Sequence, residues 1–391
     1  MTTGSTTGSL RDSIRRRLDY LRAGGDEISP FVADDFDDDL SPERLGADWQ
    51  RLAPYVHRRV AIVPSPLTDR PRLLPESVPI ERCAFFDTET TGLAGAGAVI
   101  FLFGIATVRD DRMVVEQVFL EDFPGETAFL EHVERLLAEH RLFVSFNGKA
   151  FDKTILTTRF LMDGRSLNMP EHLDLLYPSR RLWASITVDC RLKTLEEEIL
   201  GIDRGEDIDG FEVPDIYFEF LRTGELGRLP VVFEHNHSDV VTLAQLLATI
   251  DQALAGADTV PVDPRGVGHL LLALGDPCGL DHLRRGYVDG QLPCGTALGG
   301  ELKRAGAWTE AVELWRDMAE RHRDREAAVE LAKYYEHRAK DYDAALDCVR
   351  PFFGGVRNGT SGLHDDMLRR VARLRRKRAA ATAVYGDGDR A

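Results

Sequence analysis

No two cysteines in this sequence are spaced as Cys-x-x-Cys, and Cys83, Cys190, Cys278, Cys294 and Cys348 make an odd set. Zinc-ribbon and dithiol redox motifs therefore have no support, and a disulfide framework does not suit a chain of this size. Long apolar runs are missing too. The longest, Ala98–Ala106, is strand-sized and contains Gly104, far short of the roughly 20 residues that span a bilayer. No membrane partner is expected. The opening MTTGSTTGS, followed by RDSIRRRLDYLRAG, lacks the apolar core of a secretory signal. Its Ser/Thr/Arg content has a transit-peptide cast that Asp12 and Asp19 weaken. The expected location is cytoplasmic. Positive charge is in deficit as well: 49 Lys and Arg against 65 Asp and Glu leave a net −16. A polyanion repels a polyanion, so charge alone argues against a nucleic-acid binder.

What is present divides into zones. At 391 residues, against about 150 for a typical domain, two or three domains are expected. The 43% apolar and 29% charged content fits a soluble globular protein. Residues 1–81 read as an N-terminal helix (Leu10, Ile14, Leu18 and Leu21 at helical spacing), an acidic loop through Asp34–Asp39, and a connector over 54–79 punctuated by six prolines. Residues 82–255 read as an α/β domain. Three strands are expected at Cys83–Phe86, Ala98–Val108 and Met113–Leu120, the last two joined by the polar turn Arg109–Arg112. Alternating elements follow: a helix over Glu126–His140, a strand over Leu142–Phe146, a helix over Phe151–Asp163 and a strand near His172–Leu176. Short helices are expected at Thr194–Leu200 and Pro214–Arg222, and a long one over Asn236–Leu254. That grammar predicts a mixed sheet flanked by helices.

From 256 to 380 only helices are expected, with 381–391 as a flexible tail. Trp308, Ala311 and Val312 recur as Tyr342, Ala345 and Leu346, each offset by 34. That is the period of the tetratricopeptide helix pair. Residues 264–300 are expected to supply further helices, because a stable solenoid wants about three repeats.

The chemistry concentrates in carboxylates. Asp87 and Glu89, two apart on a strand, project from one face at its end. Hard oxygen donors so close together suit Mg²⁺ or Mn²⁺, although an acidic protein also carries such triplets on its surface. Asp152 stands in the first turn of a helix after the Asn147-Gly148-Lys149 turn, where a carboxylate also complements the helix dipole. His235 and Asp239, four apart, share one face of the last long helix. His237 should point off that face.

In this order, Asp87-x-Glu89, Asn147…Asp152 and His235-x-x-x-Asp239 resemble the DEDD exonucleases of the ribonuclease H-like superfamily. His172-Leu-Asp174, Pro178-Ser-Arg-Arg181-Leu-Trp183, Arg191-Leu-x-Thr194-Leu-Glu196, Pro214-x-x-Tyr217 and Glu234-His-Asn-x-x-Asp239 are similar to its YprB-type branch, whose members often carry a tetratricopeptide-like C-terminus. The resemblance implies a ribonuclease H-like fold, two divalent ions and 3′→5′ phosphodiester hydrolysis at DNA or RNA ends. It implies Asp87 bridging both ions, Glu89 and Asp239 on the ion of the attacking water, Asp152 on the second, and His235 as base or water-orienting group. Two such ions clamp the attacking and leaving oxygens of an in-line displacement. Thr88, Leu93, Asn147 and Lys149 become substrate-contacting candidates. One departure stands out: the histidine branch carries its His five residues before the last Asp, where this chain has Glu234, while His235 occupies the register of the tyrosine branch.

Asp174 is open to either reading, as an extension of the acidic site or as a strand-end polar residue. Basic residues cluster at Arg180, Arg181, Arg191 and Lys193, and again at Arg369–Arg378. Both clusters are expected to aid capture of substrate phosphates. The rival expectation is a catalytically inactive ribonuclease H-like scaffold that binds nucleic acid or, through its helical repeat, a protein partner.

Overall fold

The computed structural model describes residues 40–92, 97–205, 208–257, 259–352 and 362–386. The expected helix at 10–23, the acidic stretch Asp34–Asp39 and Leu93 lie outside them. The chain divides into two compact units between Val262 and Asp263.

The first unit is built on a seven-stranded sheet in the order β1-β2-β5-β4-β3-β6-β7. Its strands are β1 (Trp49–Ala53), β2 (Val56–Pro64), β3 (Cys83–Thr90), β4 (Ile100–Arg109), β5 (Arg112–Leu120), β6 (Leu142–Ser145) and β7 (Glu171–Asp174). β1 to β5 pair antiparallel along the sheet, whereas β6 runs parallel to both β3 and β7. The three expected antiparallel strands, the Arg109–Arg112 turn and the expected sheet-then-helix alternation are all present. Asp110 takes a left-handed φ of 55° in that turn, a conformation Asp tolerates better than most residues.

The connector expected over 54–79 is overturned in part. Val56–Pro64 forms β2 and pairs along its whole length with β5, and β1 adds a further strand outside it. The prolines at 54 and 64 bracket the strand rather than break it, because Pro is tolerated where no ladder hydrogen bond is needed.

The longer helices of this unit are α1 (Glu126–Ala138), α2 (Asp152–Met162), α3 (Leu176–Trp183), α4 (Val213–Thr223) and α5 (Leu229–Leu254), and the short helix expected at Thr194–Leu200 is present as helical turns over Leu192–Leu195 and Glu196–Leu200. Its core joins Phe86, Phe101, Phe103 and Phe119 of the sheet to Phe129, Phe160, Tyr217 and Phe233 of the helices. The expected start of α5 at Asn236 lies too late. Pro230 sits in the first turn, where a missing N–H costs nothing, so His235 and Asn236 are inside the helix rather than at its mouth.

The second unit is all helical: α6 (Pro264–Ala273), α7 (Cys278–Val288), α8 (Leu292–Ala305), α9 (Trp308–Arg321), α10 (Arg325–Tyr334), α11 (Tyr342–Val349) and α12 (Gly362–Gly386). Each helix packs on the next in sequence. Trp308 and Tyr342 both begin helices, and Ala311 and Ala345 are fully buried. The expected tail is helical as far as Gly386, in keeping with the alanine-rich stretch that follows Arg378.

Part of the basic run at 369–378 is engaged within the helical unit, while Arg375 and Arg376 are exposed. Arg373 donates to both oxygens of Glu336, at 2.8 and 2.9 Å. Arg370 and Lys377 join at 2.9 and 2.8 Å, and Arg378 pairs with Asp343 at 3.0 Å. Glu336 has no solvent exposure. Burial would raise its pKa, but Arg373, Lys377 and His337 hold it down at about 2. The basic residues thus fasten α12 to the segment that follows α10.

Candidate active site

Strand β3 carries Asp87 and Glu89 toward the end of the strand. Asp87 faces Gly104 of β4 across the ladder, and Glu89 faces Leu102. Burial of the Asp87 carboxyl, followed by the fields of Asp239, Glu89 and Asp152, pushes its pKa well above the usual carboxylate range. The Asn236 amide pulls the other way. Glu89 is itself buried.

Asp152 comes from the first turn of α2, delivered by the turn that follows β6. That turn is held by Asp174, which accepts the backbone N–H of Asn147 at 2.7 Å, of Leu176 at 3.1 Å and of Lys149 at 3.1 Å. Asn147 takes a left-handed φ of 61° there. Asp174 is 1% exposed and spends its oxygens on backbone, so it shapes the turn instead of extending the acidic cluster. Asp152 accepts the Thr88 hydroxyl at 2.5 Å. Its carboxyl is pushed up to about 6, first by burial and also by the Asp174 charge, against the lowering pull of Thr88 and backbone N–H groups. Beside it, Ser145 Oγ meets His172 Nε2 at 2.7 Å. Burial pushes His172 down to about 4.

Helix α5 brings His235 and Asp239 to the same place. His235 Nε2 lies 3.6 Å from Asp239 Oδ2 and 4.0 Å from Glu89 Oε1. Burial, followed by the Arg59 charge, lowers the His237 pKa, with Glu234 pulling the other way. The four carboxylates and His235 expected from the sequence therefore share one neighbourhood.

Two side chains there were not singled out as site residues from the sequence, although Asn236 stands in the Glu234-His-Asn-x-x-Asp239 motif. Asn236 donates to Asp87 Oδ2 at 2.9 Å. Arg204, from the irregular stretch after Gly201, sits 2.5 Å from Asp239 Oδ1, also engages Glu196, and reaches His235 Nδ1 at 3.4 Å. Only the left-handed cap at Gly201, with φ 68°, hinted that the chain turns back there.

A pocket of about 150 Å³ adjoins the carboxylates, lined by Thr88, Glu89, Thr90, Phe151, Asp152 and Pro214 among others. Thr88 thus both lines the pocket and anchors Asp152. Phe151 is 44% exposed, which leaves a ring face to stack on. Asn147 and Lys149 meet Asp174 through their backbones, and Lys149 Nζ lies 5.9 Å over the Tyr177 ring. Arg191 is exposed and pairs with Asp189 at 3.5 Å.

The donor set is chemically right for hard divalent cations, since the charges of Asp239, Glu89 and Asp152 crowd the Asp87 carboxyl and Arg204 pairs with Asp239 alone of these. As they stand, however, no three His, Cys, Asp or Glu side chains among the described residues are disposed to hold one ion. The fit is therefore one of charge and ligand type, with Asp239 sharing an oxygen with Arg204 rather than presenting both.

This fold belongs to a known class. Residues 84–250, from β3 through most of α5, match the family described as RNase_H superfamily, and the chain belongs to that superfamily, among proteins that process nucleic acid and generally use divalent metals. Within it, the chain is similar to YprB of Bacillus subtilis (strain 168), itself uncharacterized, with 33% identity over 307 residues that cover 75% of this chain and 74% of YprB. No described helix is long and apolar enough to cross a membrane.

Proposed function

We propose that this protein is a divalent-metal-dependent 3′→5′ exonuclease acting on DNA or RNA ends. The observation that carries the reading is the convergence of Glu89, Asp152 and Asp239, from β3, α2 and α5, around Asp87, with His235 beside Glu89 and Asp239. Buried carboxylates that repel one another are costly unless cations offset them. Asp87, Glu89, Asp152 and Asp239 would hold the ions. Bound Mg²⁺ or Mn²⁺ would supply Lewis acidity to the phosphoryl oxygens and a water acidified toward neutral pH.

The chain's own part is positioning. His235 Nε2, between Glu89 and Asp239, is where a side chain can orient the attacking water or take its proton. The Thr88–Phe151–Pro214 pocket offers a wall and an aromatic face to a terminal nucleoside. The helical unit, with its 34-residue offset, reads as a tetratricopeptide-like module for a protein partner.

Purified protein with Mg²⁺ or Mn²⁺ should shorten 3′-labelled single strands, duplex DNA or RNA from the 3′ end, and Asp87→Ala should not. Intact labelled strands across that panel would contradict the exonuclease. Loss of any Asp87- and Asp239-dependent ion binding would instead favour the inactive scaffold.

A further inference from the structure

One row of side chains crosses the sheet in register. Trp49 of β1 pairs with Arg59 of β2, Arg59 with Gln117 of β5, Gln117 with Gly104 of β4, and Gly104 with Asp87 of β3. Gly104 contributes no side chain, and Asn236 from α5 fills its place: a Cβ at Gly104 would collide with Asn236 Oδ1 and lie 2.9 Å from its Cγ. A glycine inside a strand marks such a close approach.

The hydrogen bonds along this row have one possible direction. Arg59 has only donors, and its Nε and Nη2 reach Gln117 Oε1 at 3.0 and 2.7 Å. Gln117 must then turn its amide nitrogen inward. It donates to the Phe233 carbonyl at 2.8 Å and to Asn236 Oδ1 at 2.9 Å. Asn236, fully buried, has its own nitrogen left for Asp87, which it meets at Oδ2 at 2.9 Å. The orientation is set at the far end, where Arg59 lies over the Trp49 ring at 5.5 Å and pairs with exposed Glu234 at 2.7 Å.

We infer that Arg59 and Gln117 are positioning residues that, through Asn236, hold the Asp87 carboxylate in its working orientation. The inference rests on the proposed catalytic role of Asp87. It gives the β1–β2 hairpin, which lies outside residues 84–250, a part in the chemistry. A neutral amide donor orients Asp87 without spending the negative charge a metal would use. With the row cut, Gln117 and Asn236 are free to flip, and an amide oxygen can then face the carboxylate.

The test uses the full chain, a 3′-labelled oligonucleotide and Mn²⁺, with Mn²⁺ affinity read separately by calorimetry. Arg59→Met removes the director. Gln117→Glu keeps a partner for Arg59 but cannot donate to Asn236, so it remains informative if Arg59→Met folds poorly. Both should lower kcat about tenfold, the size of one lost hydrogen bond to a charged group, with KM little changed and Mn²⁺ binding weakened. Arg59→Lys should recover most of the loss. Wild-type kcat and Mn²⁺ affinity in folded Arg59→Met and Gln117→Glu, even with a lowered Tm, would overturn the positioning role while leaving the exonuclease standing. A wild-type chain that neither cleaves nor binds Mn²⁺ through Asp87 overturns the exonuclease and this role with it.

Discussion

Arg204 Nη2 stands 2.5 Å from Asp239 Oδ1 and also engages Glu196, so one guanidinium neutralises a proposed metal ligand and a glutamate that is 1% exposed. A cation on Asp239 competes with any other cation there. Arg204→Gln should therefore raise Mn²⁺ affinity about tenfold, in line with a lost charge-assisted bond. It should also cost the metal-free protein about 3 kcal/mol, because Glu196 is left buried without its charged partner. Calorimetric titration and thermal unfolding with and without chelator read the two effects. An unchanged affinity would mean that Arg204 does not compete for Asp239.

Asp87 and Asp152 oppose folding in the absence of cations, and the sign follows from their raised pKa values. Asp152 ionises near pH 6 in the fold against an ordinary 3.8, so between those values the folded state holds more protons. Its contribution to stability falls as pH rises through that window, by up to about 3 kcal/mol. In chelator, Asp152→Asn should be more stable than wild type at pH 7, with the gap closing toward pH 4. Mn²⁺ should stabilise the wild type at pH 7 far more than the variant. A gap independent of pH would show that Asp152 is not the strained group.

The acidic half of the site was legible because it obeys local rules. Strand alternation puts Asp87 and Glu89 together, helical spacing puts His235 beside Asp239, and the motif order relates both to Asp152. Arg204 was not legible, and Asn236 stood inside a motif with no role assigned to it. Arg204 lies in an irregular stretch whose path no periodicity describes, and Asn236 stands one residue from a more conspicuous histidine. Gly104 was a signal left unread: a lone glycine inside Ala98–Ala106, where nothing local asks for one. The hairpin β1–β2 was hidden by its flanking prolines, which weigh against strands unless edge positions and strand ends are considered.

The clamp that Arg370, Arg373 and Lys377 make on Glu336 was hidden for a different reason. A basic run has no sequence mark that separates a phosphate binder from a clamp, because the partner, Glu336, is more than thirty residues away and is chosen by packing. Glu336→Gln should destabilise the helical unit by about 3 kcal/mol, as breaking a buried charge cluster does, and leave nucleic-acid affinity unchanged. Unfolding monitored beside an anisotropy titration separates the two. A fall in affinity without a fall in stability would return the arginines to the substrate.

Gly148 tests how closely Asp152 is held. Its φ is not left-handed, so backbone freedom is not the reason for glycine there. Space is the reason: a Cβ at this position would collide with Ser145 Oγ and lie 2.7 Å from Ser145 Cβ and 2.8 Å from Asp152 Oδ2. Backbone at this turn has little room to retreat, since Asp174 grips the N–H groups on both sides, at Asn147 and Lys149. Gly148→Ala should therefore push the Asp152 carboxylate off the Thr88 hydroxyl and cost about 1–3 kcal/mol of stability, the usual price of overpacking. Activity should fall at least tenfold, because displacement near an ångström at a reacting centre is expensive. Ser145→Gly in the same chain removes the nearest colliding atoms and should restore part of the stability. It should restore less of the activity, because the methyl still crowds Asp152. Full activity in Gly148→Ala would mean that Asp152 need not be held where the turn now puts it.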